Sequence, residues 1–395
     1  MMMTTSTKDT KRFRMVAKTL FGLEEILAEE LIALGAENVK PMNRSVEFYG
    51  GKELLYKANL WCRTATRILK PIINFKAADE KALYNNVLKI GWRDYLGLDQ
   101  TFVIDAVISK SGFDNSLYAA QKTKDAIADH FRKKTGRRPS VDINNPDIRI
   151  NIYIYRDECT IALDSSGEPL FKRGYRSKTG EAPLNEVLAA GIVLHSGWDR
   201  KSPFVDAMCG SGTIVIEAAL LARNIAPGLT RETYGFMNWP DFDMDLFKRV
   251  HQEARKEIIP VLDFEMVGSD KASKQVQEAA VNARKAGVGR DIVFKQSAII
   301  DLIPPSPPGA LIINPPYGGR MSVDDIKVFY QSIGDALKKN FIGYDAYIFT
   351  GNPAAAKHIG LRTSRRIEMY NGPIECRLLK FEMYEGSRKT KYQKP

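Results

Sequence analysis

Apolar residues change period along the chain, and the changes divide it into three segments. From Arg12 to Phe75, short alternating runs bracket two helical stripes. RFRMVAKT (12–19) alternates in part and predicts a strand. FGLEEILAEELIALGA (21–36) places Leu23, Ile26, Leu27, Leu31 and Leu34 on one helical face and stops at Gly35. NVKPM and RSVEFYG read as short strands, KELLYKANLW as a helix and TRILKPIINF as a β-rich run. The order β-α-β-β-α-β predicts a ferredoxin-like domain over residues 1–75.

Residues 76–166 predict a second small α+β unit. TFVIDAVIS is a strong strand, and LYAAQKTKDAIADHFRKKTG is an amphipathic helix with a basic end. DIRINIYIYRDECTIALDSSG alternates, turns at Arg156-Asp157 and alternates again, as a hairpin does. GEPLFKRGYRSKTGEAP, rich in glycine, proline and basic residues, opens a third segment over 167–395. There strands (SPFVDAM, FEMVGSD, DIVFKQ, GALIINPP, YDAYIFTG) alternate with helices (GTIVIEAALLARN, KASKQVQEAAVNARKAG, VDDIKVFYQSIGDALKKNF). Strict alternation predicts an α/β, doubly wound, mostly parallel sheet of the Rossmann-like kind. RRIEMY and ECRLLKFEMY, joined by NGPI, predict an antiparallel hairpin at the sheet's edge, followed by a frayed basic tail.

The chain has 395 residues and 44% hydrophobic residues, enough for packed cores. Lys and Arg number 58 against 47 Asp and Glu, a net charge of +11, and the pI is about 9.3. That balance favours an acidic partner, nucleic acid first, and is also compatible with a basic but ordinary enzyme. Cys62, Cys159, Cys209 and Cys376 lie far apart with no C-x-x-C, and His130, His195, His251 and His358 lack ligand spacing, so neither a disulfide framework nor a metal site is expected. MMMTTSTKDTKRFR lacks the apolar stretch of a signal peptide, and no apolar run reaches the roughly 18 residues of a membrane span. A cytoplasmic protein is expected.

Two sites carry chemistry. The strand SPFVDAM runs into Asp206-Ala207-Met208-Cys209-Gly210-Ser211-Gly212-Thr213 and then a helix. Glycines at such a turn let the backbone approach a ligand, although they also serve simply to make tight turns. A dinucleotide fingerprint needs a third glycine, and position 215 is Val; a Walker loop needs Gly-Lys-Ser/Thr, which is absent. The form fits S-adenosyl-L-methionine (AdoMet) better, because that cofactor has no pyrophosphate. Asp270, at the next strand's end with Lys271 beside it, can hold two ribose hydroxyls.

The second site is Asn314-Pro315-Pro316-Tyr317, at the carboxyl end of GALII, where open α/β sheets bind ligands. The prolines stiffen the turn and remove donors, leaving the Asn314 side-chain oxygen and the Pro315 carbonyl as acceptors. That suits a nucleobase exocyclic amine, whose lone pair is delocalised into the ring. Two acceptors on its N–H groups return density to nitrogen, and rigid placement contributes through proximity. Tyr317 can stack on a base taken out of its helix. A merely rigid Pro-Pro turn is the bland alternative.

These motifs, in this order, with ALDSSGEPLFKRGYR and APLNEVLAA upstream, resemble THUMP-domain RNA methyltransferases. The similarity is strongest to the RlmL type, which methylates guanine N2 in 23S rRNA and whose shorter homologues are often labelled N6-adenine DNA methylases. It extends from about residue 12 to 384. It implies a ferredoxin-like domain, a THUMP RNA-binding domain and a class I methyltransferase domain. It also implies that Pro183, Leu184 and Asn185 line the AdoMet pocket, that Asp206 to Gly212 surround the methionine moiety and that Asp270 holds the ribose. Gln296 and Ser297 would face the adenine, where many members carry Asp. The long bacterial enzyme carries a second methyltransferase domain, so this chain is expected to perform one of its two reactions.

Lys122, Lys124, Arg132, Lys133, Lys134, Arg137 and Arg138 form the densest basic patch, either a solvated face or a phosphate-contacting one. Lys172, Arg173, Arg176 and Lys178 are expected to contact RNA or to order the cofactor site, unless they are a plain linker. Cys209 reads as a small filler rather than a nucleophile, and Trp239 as core. The expected activity is AdoMet-dependent guanine-N2 methylation of RNA, in 23S rRNA. Adenine-N6 methylation of DNA or RNA, tRNA guanine-N2 methylation and a catalytically idle RNA-binding factor remain alternatives.

Overall fold

The structure, a computed structural model, describes residues 11–176, 184–316 and 323–385. The chain forms two compact units, and neither is continuous in sequence. The first holds residues up to Thr19, Leu27–Leu170 and Arg231–Gln252; the second holds Leu20–Ile26, Phe171–Thr230 and the chain from Glu253 onward.

The first unit begins with β1 (Phe13–Lys18), α1 (Glu24–Ala33), β2 (Glu37–Met42), β3 (Ser45–Gly50), α2 (Lys52–Trp61) and β4 (Arg67–Lys76). It continues with α3 (Glu80–Leu88), β5 (Thr101–Ser109), α4 (Ser116–Thr135), β6 (Ser140–Val141), β7 (Ile148–Tyr155) and β8 (Glu158–Asp164). The strands form one eight-stranded sheet in the order β2-β3-β1-β4-β8-β7-β5-β6, whose first four have the expected ferredoxin-like arrangement. The seam is β4: its start pairs with β1 (Val16↔Leu69) and most of its length pairs with β8 (Ile73↔Ile161, Lys76↔Glu158). Pro71 lies inside it where the register shifts, which is where a residue without an N–H is tolerated. The hairpin of β7 and β8 turns at Arg156-Asp157, as its alternation predicts. Asn115 caps α4 by accepting from the Leu117 amide, and Gly136, at φ 73°, ends it.

Residues 231–252 belong to this unit through aromatic packing that no local pattern announces. Phe236 lies 4.4 Å from the Tyr56 ring of α2, Phe242 and Phe247 flank the same ring, and Tyr56 Oη accepts from the Asp243 amide at 3.0 Å. Residues 231–252, within the third segment of 167–395, thus group by their contacts with the first unit. Trp239 is buried, as expected of a core residue.

The second unit contains α5 (Glu186–Ser196), β9 (Phe204–Asp206), α6 (Thr213–Ala222), the end of α7 (Met244–Lys256), β10 (Met266–Asp270), α8 (Ser273–Lys285), β11 (Ile292–Gln296) and β12 (Gly309–Ile313). α9 (Val323–Asn340), β13 (Tyr344–Thr350), α10 (Pro353–Ala356), β14 (Arg365–Asn371) and β15 (Ile374–Glu382) complete it. The sheet order is β11-β10-β9-β12-β13-β15-β14. β9 to β13 are parallel; β15 enters antiparallel beside β13, and β14 forms the edge. Buried residues of β12 alternate between two cores. Ala310 and Ile312 pack with α5, α6 and α8, while Leu311 and Ile313 pack with α9 and α10. This two-sided burial explains the uninterrupted apolar run GALII. Among the described residues no helix is long and apolar enough to cross a membrane, and no cluster of His, Cys, Asp or Glu could hold a metal ion.

Candidate active site

β9 has β10 on one side and β12 on the other, so the strand order reverses there. Open α/β sheets bind ligands at the carboxyl ends of such strands. β9 ends at Asp206 and β12 delivers Asn314; the register Val205↔Leu311 puts both at one end of the sheet.

The glycine loop is tied to its surroundings through its backbone. Cys209 N donates to Ser269 O (2.9 Å), Gly210 N to Asp270 Oδ2 (3.1 Å) and Gly212 N to Cys209 O (2.7 Å). Gly210 and Gly212 have φ of 52° and 87°, which other residues rarely adopt. A Cβ on Gly212 would also stand 2.9 Å from Ala279 Cβ, so α8 packs directly on the turn. Asn282 of α8, missed in the sequence reading, donates to Ser211 O at 3.0 Å. A polar residue on the buried face of α8, beside Ala279 and Ala283, was the available signal. Gly212 caps α6 without any side-chain hydrogen bond, and the positive end of the helix there suits an anion such as a carboxylate.

Asp206 is 1% exposed. Its Oδ1 accepts a long bond from Met208 N (3.4 Å), and its Oδ2 has no hydrogen-bond partner among the described residues. Burial, and then the Asp270 charge, push its pKa up to about 8 against partial help from the Met208 and Val215 amides. A buried acceptor left over at the mouth of a glycine loop fits the ammonium of a methionine moiety. The same burial raises the Cys209 thiol, so it is no thiolate nucleophile. Asp270 holds Gly210 with Oδ2 and accepts from Ala272 N with Oδ1 (2.9 Å); a carboxylate's remaining lone pairs suffice for ribose hydroxyls. Gln296 pairs in register with Asp270 and its amide reaches Lys271 O at 3.4 Å, while Ser297 N donates to Asp270 O (3.1 Å). Gln296 and Lys271 are exposed and Met208, Ser211 and Ser297 partly so.

Asn314 Oδ1 is buried and has no hydrogen-bond partner among the described residues. Pro315 is buried and Pro316 exposed. Tyr317, Lys178 and Pro183 lie outside the described residues.

The basic stretch before α5 behaves differently from a nucleic-acid contact. The expectation that Arg173 touches RNA is corrected: its side chain is 2% exposed, and its Nε lies 3.6 Å from Glu217, whose side chain is fully buried. Tyr175 Oη donates to the same Glu217 at 3.0 Å. Arg176 is also turned inward. Its Nε lies 2.7 Å from Glu186, and its NH2 donates to Leu184 O and to Thr213 Oγ1 (3.2 Å). One guanidinium thus joins the starts of α5 and α6, which favours the cofactor-ordering alternative. Burial raises the Glu186 pKa and Arg176 pulls it back. Asn185 caps α5 with Oδ1, accepting from Val187 N (2.9 Å) and Leu188 N (3.4 Å). Leu184 is buried beside it, and Thr213 lies buried at the start of α6. Glu186, Glu217 and Tyr175 were not singled out in the sequence, because their roles depend on helices meeting in space.

On α4, Arg132, Lys133 and Lys134 are exposed and Lys122 and Lys124 half-buried; Arg137 and Arg138, just past its end, are exposed too. Lys124 pairs with Asp125, Arg132 with Asp129 and Arg137 with Asp99, while Lys122 sits 5.2 Å from the Tyr118 ring. Tyr84, Lys122, Asp129, Arg132 and Arg138 line a cavity of about 210 Å³.

Comparison with known proteins gives the family. Residues 173–380 match the RMKL-like methyltransferase domain, 77–164 the THUMP domain and 14–69 the RlmL ferredoxin-like domain. A Synechocystis protein, slr0064, to which an RNA methyltransferase activity is attributed, is 41% identical over 95% of this chain and its own full length. The ribosomal RNA large subunit methyltransferase K/L of Syntrophotalea carbinolica is 41% identical over 92% of this chain; the match spans 53% of that longer protein. The crystal structure of SMU.472, described as a methyltransferase complexed with S-adenosylhomocysteine, superposes with a TM-score of 0.86 at 32% identity, covering 96% of this chain and all of that one. The chain belongs to the RMKL-like methyltransferase family and is an AdoMet-dependent methyltransferase with RlmL-type ferredoxin-like and THUMP domains.

Proposed function

We propose that this enzyme methylates the exocyclic N2 amine of a guanine in RNA, in 23S rRNA. The observation that carries the reading is the pair of buried acceptors at one end of the sheet, Asn314 Oδ1 and Asp206 Oδ2, neither of which has a hydrogen-bond partner among the described residues. Bound AdoMet supplies an electrophilic methyl group on a sulfonium. Asp206, in its ionised form, receives the ammonium; the Thr213 and Ile214 amides at the start of α6 receive the carboxylate; Asp270 receives the ribose. Asn314 Oδ1 and the Pro315 carbonyl accept the amine's N–H groups, and Tyr317 stacks on the base. The two acceptors favour the nitrogen lone pair as the amine rehybridises; the methyl would pass from sulfur to nitrogen with S-adenosylhomocysteine as the leaving group, and the surplus N–H proton, now acidic and held by these acceptors, would pass to water, so no strong side-chain base is needed.

The THUMP match and the basic end of α4 support RNA as the substrate, with Lys133, Lys134 and Arg138 available for phosphates. The name of the K/L relative, an rRNA large subunit methyltransferase, supports 23S rRNA. Nucleoside mass mapping of rRNA and tRNA from a deletion strain tests it. Loss of one N2-methylguanosine in 23S rRNA is expected; an unchanged 23S pattern with a lost tRNA mark would refute the rRNA assignment.

A further inference from the structure

The first unit carries a feature that methyl transfer does not use. Ile148, Ile150, Ile152 and Ile154 of β7 are fully buried, so Tyr153 and Tyr155 stand on the opposite face of the sheet. Tyr153 is 38% exposed, and its register partner on β5, Val107, is 46% exposed. A solvated sheet face is ordinarily polar. The Lys18 ammonium lies 5.6 Å from the Tyr153 ring centroid, and Arg156 lies 5.6 Å from that of Tyr155. Neither cation makes an ion pair among the described residues, whereas Arg14 is matched by Glu47 and Arg149 by Asp105. Burial lowers the Lys18 pKa, so this cation is partly desolvated, with no ion-pair partner among the described residues to offset it.

We propose that this face binds single-stranded RNA, with bases stacking on Tyr153 and Tyr155 and phosphates meeting Lys18 and Arg156. Alternating residues on a strand stand about 7 Å apart, within reach of successive nucleotides of an extended strand. Aromatic rings beside unmatched cations serve both parts of a nucleotide, the base through its π-face and the phosphate through charge. An acidic peptide would use the cations and leave the rings idle. The inference rests on RNA being the substrate and adds a second contact, for the strand flanking the target.

The test is fluorescence anisotropy of the full chain with a labelled ten-nucleotide uridine homopolymer across a salt series. Tyr153→Ala should weaken binding roughly tenfold and Tyr153→Phe should retain it. Lys18→Gln should flatten the slope of log affinity against log salt by about 0.7. The thermal shift produced by S-adenosylhomocysteine, unchanged in each variant, verifies folding. Wild-type affinity in both Tyr153→Ala and Lys18→Gln would overturn the proposal, as would equal displacement by polyaspartate. Methyl transfer to an rRNA fragment is read in parallel. Tyr153→Ala should raise KM for RNA and leave kcat unchanged. Tyr153-dependent oligonucleotide binding without any RNA methylation would refute the proposed function and leave this face standing.

Discussion

Asp206 and Asp270 end adjacent parallel strands, and the Asp270 charge adds to burial in keeping a proton on Asp206. With the folded pKa near 8 and the unfolded one near 3.9, the folded state holds a proton that the unfolded state has released. This group's contribution to the stability of the ligand-free enzyme therefore falls as pH rises from about 4 to 8. A cofactor ammonium reverses the preference. Binding of S-adenosylhomocysteine at pH 7 should release close to one proton, and affinity should rise with pH up to about 8. Calorimetry in buffers of different ionisation enthalpy measures this directly; no proton exchange would remove Asp206 from the ammonium site. Asp206→Asn should raise the Tm of the ligand-free enzyme at pH 7.5 and weaken cofactor binding.

Arg176 joins Leu184, Glu186 and Thr213 with one planar group. Lysine keeps the charge and loses the fork. Arg176→Lys should raise the Kd for S-adenosylhomocysteine about tenfold with little change in kcat at saturating AdoMet. An unchanged Kd would reduce Arg176 to a packing role.

Gly212 holds φ at 87° against Ala279. Gly212→Ala adds a left-handed penalty of about 1–2 kcal/mol and displaces α8 from the loop. Cofactor affinity should fall at least tenfold in calorimetry, with the far-UV dichroism unchanged.

Both candidate motifs could be located in the sequence because each is local: the glycine loop is a strand end, a turn and a helix start within ten residues, and Asn314-Pro315-Pro316-Tyr317 follows directly on a strand end. So were the alternation of β and α, and the hairpin at Arg156-Asp157. The joining of two small sheets through β4 was not, since the Leu69 and Ile73 pairings link segments far apart in sequence. Nor was the return of Phe236 and Phe247 to Tyr56, about 180 residues away. The burial of Arg173 was hidden for the same reason. A basic residue in a glycine-rich stretch looks solvated until Glu217, on a helix 44 residues later, is seen to bury with it.

Arg173 and the α4 patch should therefore separate experimentally. Removing one partner of a buried ion pair costs about 3–5 kcal/mol, so Arg173→Met should lower Tm markedly while leaving the salt dependence of RNA binding intact. Replacing Arg132, Lys133 and Lys134 together with Ala should leave Tm nearly unchanged and flatten the salt slope. Identical slopes in the two variants would assign the patch to solvent.

In the proposed reaction Asn314 orients a guanine amine for methyl transfer. This role is tested most directly by single-turnover methylation of 23S rRNA, with the product nucleoside read by mass spectrometry. The wild-type enzyme should yield N2-methylguanosine, and Asn314→Ala should lose at least a hundredfold in rate while binding AdoMet and RNA normally, because the contact strengthens in the transition state. Wild-type rate in Asn314→Ala would contradict the account.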